Sequence, residues 1–95
     1  MPQQYSDEDR AKVLRAFVRD GRITSMPARW SRKLVLLDVI AQSFEPGRAY
    51  TEAEVNDVLT RWHDDYAALR RYLVDADYLG RENGFYWRTG GSFEV

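Results

Sequence analysis

The spacing of apolar residues predicts four helices along the 95-residue chain. Steps of three and four residues put apolar side chains on one face of each segment, which is typical of helices packed on a core. From the first segment to the fourth, the apolar positions are Val13, Leu14, Phe17; Trp30, Leu34, Val35, Leu36, Leu37, Val39, Ile40, Ala41, Phe44; Val55, Val58, Leu59, Trp62; and Tyr66, Leu69, Tyr72, Leu73, Ala76. The second segment is apolar on most sides, so we expect it to be the central core helix.

Polar residues predict where three of these helices begin. Ser6 precedes an acidic turn and can accept a hydrogen bond from the exposed amides of a helix N-terminus. Thr51 and Glu54 have the spacing of a capping box, in which each side chain bonds the backbone amide of the other residue. Asp64 is predicted to cap the fourth helix, which we expect from Asp65 to about Ala76.

Turn-forming pairs separate these helices and predict a hairpin near the end of the chain. Asp20-Gly21 is expected to end the first helix. The second helix is expected to begin at Ala28 or Arg29 and to run to Phe44, and Pro46-Gly47 forms the turn after it. Asn83-Gly84 lies between short aromatic runs, which is a strong local signal for a β-hairpin. With a short strand at 49–50, the order predicts a mainly α, winged-helix-like fold: helix, helix, short strand, helix-turn-helix and wing.

Length and composition indicate a single domain over residues 1–95. Ninety-five residues with 44% hydrophobic content suffice for one core. We expect an extended path through 21–27, because Ile23 and Thr24 are β-branched and Pro27 disfavours helix before it. Residues 1–5 and the Gly-rich segment 89–95 are predicted to be flexible. The predicted core contains Leu37, Ile40, Leu59, Leu69, Leu73 and Trp87.

Composition also excludes several classes of function. The chain has no cysteine and one histidine, so we expect no metal, no cofactor and no enzymatic activity. His63, which lies in a turn between acids, is interpreted as a surface residue. No apolar run approaches the roughly 18 residues of a membrane helix, and the acidic N-terminus is unlike a signal peptide. We therefore expect a cytoplasmic protein without a membrane partner.

Seven basic residues are candidates for nucleic-acid contact. Residues 1–33 contain eight basic and four acidic side chains, residues 34–66 contain two and seven, and residues 67–95 contain four of each. Neutralisation of phosphates supplies most of the affinity for DNA, so the location of cations matters more than the net charge of −1. The candidates in the fourth helix, the hairpin and the basic segment around Trp30 are Arg70, Arg71, Arg81, Arg88, Arg29, Arg32 and Lys33.

The arginines of the fourth helix have two open interpretations. Arg70 and Arg71 face phosphates or brace the fold by pairing with nearby carboxylates, and the two roles can coexist if one arginine turns inward and the other outward. Asp64 and Asp65 would repel phosphates at the start of this helix, so we expect at least one of the two arginines to point inward. The carboxylates near enough for pairing are Glu54, Asp57, Asp64, Asp65 and Asp75. The basic segment, in turn, suits phosphates, an acidic partner protein, or simple solvation at a helix start.

Residues 17–88 resemble the prokaryotic family catalogued as domain of unknown function 2087. The segments that carry the resemblance are "DGRI", "MP", "GRAYTEAEVN", "LRRYLVD" and "NGFYW". Domains similar to this one occur alone or attached to DNA-binding domains of bacterial transcriptional regulators. The resemblance implies a regulatory setting and transfers no catalytic or ligand-binding residue.

Two functions rank ahead of a small-molecule sensor, which is third, and an enzyme, which is fourth. The first is transcription regulation, with duplex DNA bound through the helix-turn-helix and the wing. The alternative is a protein–protein interaction or dimerisation module that uses the same scaffold without binding DNA, with a partner protein or a second copy as its ligand. Fold analogy does not decide between them.

Overall fold

The computed structural model describes residues 6–92, which form four α-helices and two small antiparallel sheets. In chain order the elements are α1 (Asp7–Phe17), β1 (Val18–Arg19), β2 (Arg22–Ile23), α2 (Trp30–Ala41), β3 (Tyr50–Thr51), α3 (Glu52–Thr60), α4 (Tyr66–Asp75), β4 (Leu79–Glu82) and β5 (Phe85–Arg88). The predicted succession of helices, short strand and hairpin is confirmed. The small β1–β2 sheet was not predicted.

Local capping explains where the helices begin. The side chain of Ser6 accepts a hydrogen bond from the Asp9 amide, as predicted. Thr51 and Glu54 form the complete capping box, with both reciprocal bonds present. At α4 the predicted cap is wrong by one residue, because Asp65 rather than Asp64 accepts the bond from the amide of the first turn.

The β1–β2 hairpin follows α1 directly and turns at Asp20-Gly21. Both turn residues have positive φ, 54° and 76°, which is the backbone of the two-residue turns that suit the twist of a hairpin. The predicted extended path is therefore correct at Arg22–Ile23, and the Asp-Gly pair begins a hairpin as well as ending a helix. The amide of Ile23 donates to the Trp62 carbonyl at 2.8 Å, so the hairpin is attached to the connection between α3 and α4.

The second sheet contains three strands in the order β3-β5-β4. Asn83 and Gly84 form the turn between β4 and β5, both with positive φ, as their sequence predicts. Tyr50 pairs with Tyr86, so the strand that precedes α3 is hydrogen-bonded to the hairpin that follows α4. This pairing joins the two ends of the α3–α4 unit.

One core contains five of the six residues predicted for it. Leu37, Ile40, Leu59, Leu69 and Leu73 are each at most 2% exposed and belong to one cluster. Trp87 was wrongly assigned to it: Tyr86 and Arg88 face inward on β5, and alternation along the strand turns Trp87 to the other face. There Trp87 covers Gly80, its cross-strand partner, where a Cβ atom would lie 2.9 Å from the indole ring.

The segment after β5 is packed on the core. Ser92 is 3% exposed and contacts the buried Asp38 of α2, and Gly91 is buried beside the same carboxylate. The predicted flexibility of 89–95 concerns motion and stays a prediction, but the described part, 89–92, is held by hydrogen bonds. Residues 1–5 and 93–95 lie outside the described part of the chain. Within 6–92, every helix is too short or too polar to traverse a bilayer.

Candidate nucleic-acid interface

The connection between α3 and α4 is fixed by Arg22 of β2. Its guanidinium donates to the Thr60 carbonyl at 2.9 Å and pairs with the Asp64 carboxylate at 2.6 Å. The bond to Thr60 satisfies a carbonyl at the C-terminus of α3, where intrahelical donors are missing. Arg22 thus orients α4 relative to α3 and places a positive charge next to Asp64.

Both carboxylates at the start of α4 have local roles. Asp65 accepts from the Ala68 amide at 3.2 Å, and Asp64 pairs with Arg22. The imidazole of His63 is half-buried and its Nδ1 accepts a hydrogen bond from the Asp65 amide at 2.9 Å, so it supports the same turn. The two acidic residues that argued against DNA binding therefore have structural partners: Asp65 caps α4, and Asp64 forms an ion pair with Arg22.

Three consecutive residues of α4 point in three directions. Adjacent side chains are about 100° apart around a helix, so Arg70 and Tyr72 lie on opposite flanks of Arg71. Arg71 is exposed, whereas Arg70 and Tyr72 are half-buried against neighbouring elements. The outward direction of α4 is thus the direction of Arg71.

Arg70 braces α4 against α3. Its guanidinium Nη1 donates to the Asn56 side-chain oxygen, and its Nε lies 3.9 Å from Glu52 Oε1. The side chain is 21% exposed. The expectation that one of the two arginines points inward is confirmed, although its partners are Glu52 and Asn56 and not the carboxylates that the sequence suggested.

Glu52 extends this brace to the hairpin. The Tyr86 hydroxyl donates to Glu52 Oε1 at 2.9 Å. Burial, together with the hydrogen bond and the negative charge of Glu52, raises the pKa of Tyr86 above its ordinary value of 10.0. Tyr86 therefore stays protonated and donating, and a polar chain runs from β5 through α3 to α4.

Three arginines line one recess between α4 and β4. This recess of about 320 Å³, the arginine recess, is lined by Ala67, Arg70, Arg71, Val74, Asp75 and Arg81. Arg71 and Arg81 are exposed, and neither forms an ion pair with any residue from 6 to 92. Among residues 6–92, Asp75 is the one carboxylate that lines it. The structure thus unites Arg70, Arg71 and Arg81 from two separate elements.

Lys33 lies on the other flank of α4. Its Nζ is 4.3 Å from the centre of the Tyr72 ring and 5.9 Å from the centre of the Trp30 ring. Trp30 is 45% exposed. Part of the basic segment therefore contacts α4 directly, on the side away from the arginine recess.

The other candidates are dispersed. Arg29 is exposed at the N-terminus of α2, and Arg32 lines a recess of about 350 Å³ between α1 and α2. Arg88 does not reach the surface: it is 9% exposed and donates to the carbonyls of Phe44, Gly90 and Ser92. Burial lowers the pKa of Arg88, against the opposing effect of Asp38. Its inward position follows from strand alternation with Tyr86.

Sequence reasoning missed Glu52, Asn56 and Tyr72 as contacts of the candidate cations: Glu52 and Asn56 hold Arg70, and Tyr72 holds Lys33. A helical projection of α4 places residues 70 and 72 on opposite flanks, but it does not show which neighbouring element each flank meets.

Within the described part of the chain, no group of three or more His, Asp or Glu side chains is arranged to hold a metal ion.

Comparison with known proteins identifies a family. No curated protein and no solved structure is significantly similar to the chain. A family model described as "Uncharacterized protein conserved in bacteria (DUF2087)" matches residues 22–88, which span the elements from β2 to β5. The resemblance seen in the sequence is therefore confirmed, and the chain belongs to the DUF2087 family.

Proposed function

We propose that this domain binds duplex DNA through α4 and the β4–β5 hairpin, as a winged helix in bacterial transcription regulation. The observation that carries the proposal is the arginine recess. Arg71 and Arg81 come from different elements, line the same depression and have no carboxylate partner among the described residues. Two unpaired guanidinium groups on one outward surface suit the closely spaced phosphates of a nucleic-acid backbone.

The arrangement around the recess supports the same function. In a helix-turn-helix protein the second helix enters the major groove, which is about 12 Å wide and admits one α-helix. α4 is the second helix of the α3–α4 pair, its outward face carries Arg71 together with Ala67 and Asp75, and the adjacent hairpin contributes Arg81. The ion pair of Asp64 with Arg22 reduces the negative charge that phosphates would meet at the start of α4.

Fluorescence anisotropy with a labelled duplex of about two helical turns tests the proposal. Titrations at about 50 and 200 mM salt should give weaker binding at the higher salt, because bound cations release counterions from the DNA. R71Q and R81Q should each weaken binding and each lower the salt slope by about 0.9. R15Q is the matched control, since Arg15 is exposed on α1 and its replacement changes the net charge equally.

Two results would refute DNA binding at this surface. One is the absence of binding by the unmodified protein at the lower salt concentration. The other is equal weakening by R15Q, R71Q and R81Q, which would show a dependence on total charge and not on the arginine recess.

A protein–protein or dimerisation role is the second candidate, and the outer face of the three-stranded sheet favours it. Phe85 is 48% exposed there, and the half-buried Trp87 lies on the same face of β5. Exposed aromatic side chains are enriched at protein interfaces. Sedimentation of wild type and F85S, measured beside the DNA titration, separates the two candidate functions. The interaction role would be favoured if wild type self-associates, F85S does not, and wild type does not bind DNA.

A further inference from the structure

We infer that Lys33 is a phosphate contact on the flank of α4 opposite the hairpin, so that α4 lies between two cationic flanks that meet both backbones of a duplex major groove. The inference rests on the proposed DNA binding. It adds contacts with the phosphates of the second DNA backbone, and it specifies double-stranded rather than single-stranded DNA as the partner.

The geometry of α4 separates the two flanks. Arg70 turns toward α3 and contacts Asn56, whereas Tyr72 turns toward α2 and contacts Lys33. Arg71 lies between them and faces outward. Cations therefore occur on both sides of the outward direction: Arg70 and Arg81 on the hairpin side, and Lys33 on the α2 side.

Lys33 is positioned without being neutralised. A cation held over aromatic rings is attracted by their π electrons, and the rings contribute no negative charge. Lys33 Nζ lies 4.3 Å from the Tyr72 ring centre, and no carboxylate from residue 6 to residue 92 pairs with it. Because the contact restricts a flexible side chain beforehand, less freedom is lost when the ammonium binds an anion.

The sequence around Lys33 is free of competing acids. Residues 21–37 contain four cations and no carboxylate. Arg22 is engaged with Asp64, and Arg29 is exposed at the N-terminus of the same helix as Lys33. The segment that carries Lys33 to the flank of α4 therefore contributes cations and no carboxylate of its own, which favours an anionic partner.

Two cationic flanks on either side of one helix fit a duplex. An α-helix with its side chains is about 10–12 Å across, close to the width of the major groove, so phosphates line the helix on both sides. A single strand presents phosphates along one line and is usually held by stacking of its bases on aromatic side chains. The bracketing arrangement therefore selects duplex DNA.

Arg32 supplies the matched control for Lys33. The two residues are adjacent in α2, about 100° apart around the helix, and carry equal charge. Arg32 lines the recess toward α1 together with Lys12 and Val13, whereas Lys33 contacts α4. Loss of either cation changes the net charge equally, but only the loss of Lys33 removes a cation from the flank of α4.

Anisotropy titrations of K33Q, K33R, R32Q, R71Q and R81Q against one duplex, across a salt series, test the inference. K33Q should weaken binding several-fold and lower the salt slope by about 0.9, whereas K33R and R32Q should keep the wild-type slope. Thermal melting of each variant confirms that it is folded. The single strand of the same sequence should bind more weakly than the duplex and should respond less to K33Q.

The outcomes distinguish this inference from the function on which it rests. If K33Q and R32Q show the same salt slope of DNA binding, while R71Q and R81Q bind DNA more weakly than wild type, Lys33 is not a phosphate contact. The proposed DNA binding would then still stand. Equal effects of K33Q on duplex and single strand would overturn the assignment to both backbones. The absence of binding by wild type would overturn the proposed function and this inference with it.

Discussion

The buried carboxylate of Asp38 accepts two hydrogen bonds from Ser92, at 2.5 Å from the amide nitrogen and 2.9 Å from the hydroxyl oxygen. Arg10 of α1 lies 3.2 Å from the same carboxylate. Asp38 is in α2, so one side chain joins the first helix, the central helix and the segment after β5. A buried carboxylate is tolerated only when such donors compensate for its lost hydration.

Replacement of Asp38 by alanine should therefore destabilise the fold by about 3–5 kcal/mol. The change removes the acceptor of the Arg10 guanidinium and the Ser92 amide, and it leaves a cavity beside α2 where the carboxylate was buried. Urea unfolding followed by circular dichroism measures the loss. D57A is the control, since Asp57 is exposed on α3 and its replacement should change stability by less than about 0.5 kcal/mol. Similar midpoints for D38A and D57A would contradict the buried role.

Gly91 should tolerate alanine less well than Gly84 does. Both residues have left-handed φ, 86° and 82°, so an alanine at either position incurs a backbone strain of about 1–2 kcal/mol. A Cβ atom on Gly91 would also lie 2.8 Å from Asp38 Oδ1, whereas nothing lies within 4 Å of one on Gly84. Thermal melting should thus show a larger decrease for G91A. An equal decrease in melting temperature for G91A and G84A would mean that the segment after β5 moves away from Asp38 without a loss of stability.

The capping box predicts a specific pH dependence of stability. The amide hydrogen bond from Thr51, aided by its hydroxyl and by Arg48, lowers the pKa of Glu54 below the ordinary value of 4.5. A carboxyl group with a depressed folded-state pKa stabilises the fold above its unfolded pKa and loses that contribution as the pH falls through the folded value. The loss should therefore occur below about pH 4.5.

Unfolding free energies of wild type and E54Q, measured from pH 7 to pH 3, test this dependence. E54Q should show a smaller loss of stability over the acidic part of that range, because glutamine does not titrate. D57N removes one carboxylate from the exposed face of the same helix and is measured beside E54Q, so that the effect of net charge alone is subtracted. Parallel curves for wild type and E54Q would show that Glu54 does not titrate differently in the folded state.

Arg70 and Arg71 should separate stability from binding. R70A removes the contacts with Asn56 and Glu52 and should destabilise by about 1–2 kcal/mol, at the lower end for charged hydrogen bonds because the site is partly exposed. R71A should change stability by less than about 0.5 kcal/mol while it weakens DNA binding. Unfolding and anisotropy are measured on the same preparations. Equal destabilisation by both variants would refute this division of roles.

The sequence by itself determined the local structure of this protein. Caps at Ser6 and Thr51, and the turn at Asn83-Gly84, depend on side chains and backbone angles within a few residues, so pattern and residue type suffice to predict them. Helical spacing likewise identified five of the six predicted core residues, because a segment with one apolar face has one way to bury it. The Asp20-Gly21 hairpin was predictable from the same rules and was missed because the pair was interpreted only as a helix end.

Only the tertiary structure decided which charged residues are available for binding. Arg88 and Arg81 both belong to the β4–β5 hairpin, yet the first is buried on carbonyls and the second faces the arginine recess. Lys33 meets Tyr72 across 39 positions of sequence, a distance that no local pattern records. A long cationic side chain takes whichever partner the packing of helices brings near it, and that packing is set by the whole core.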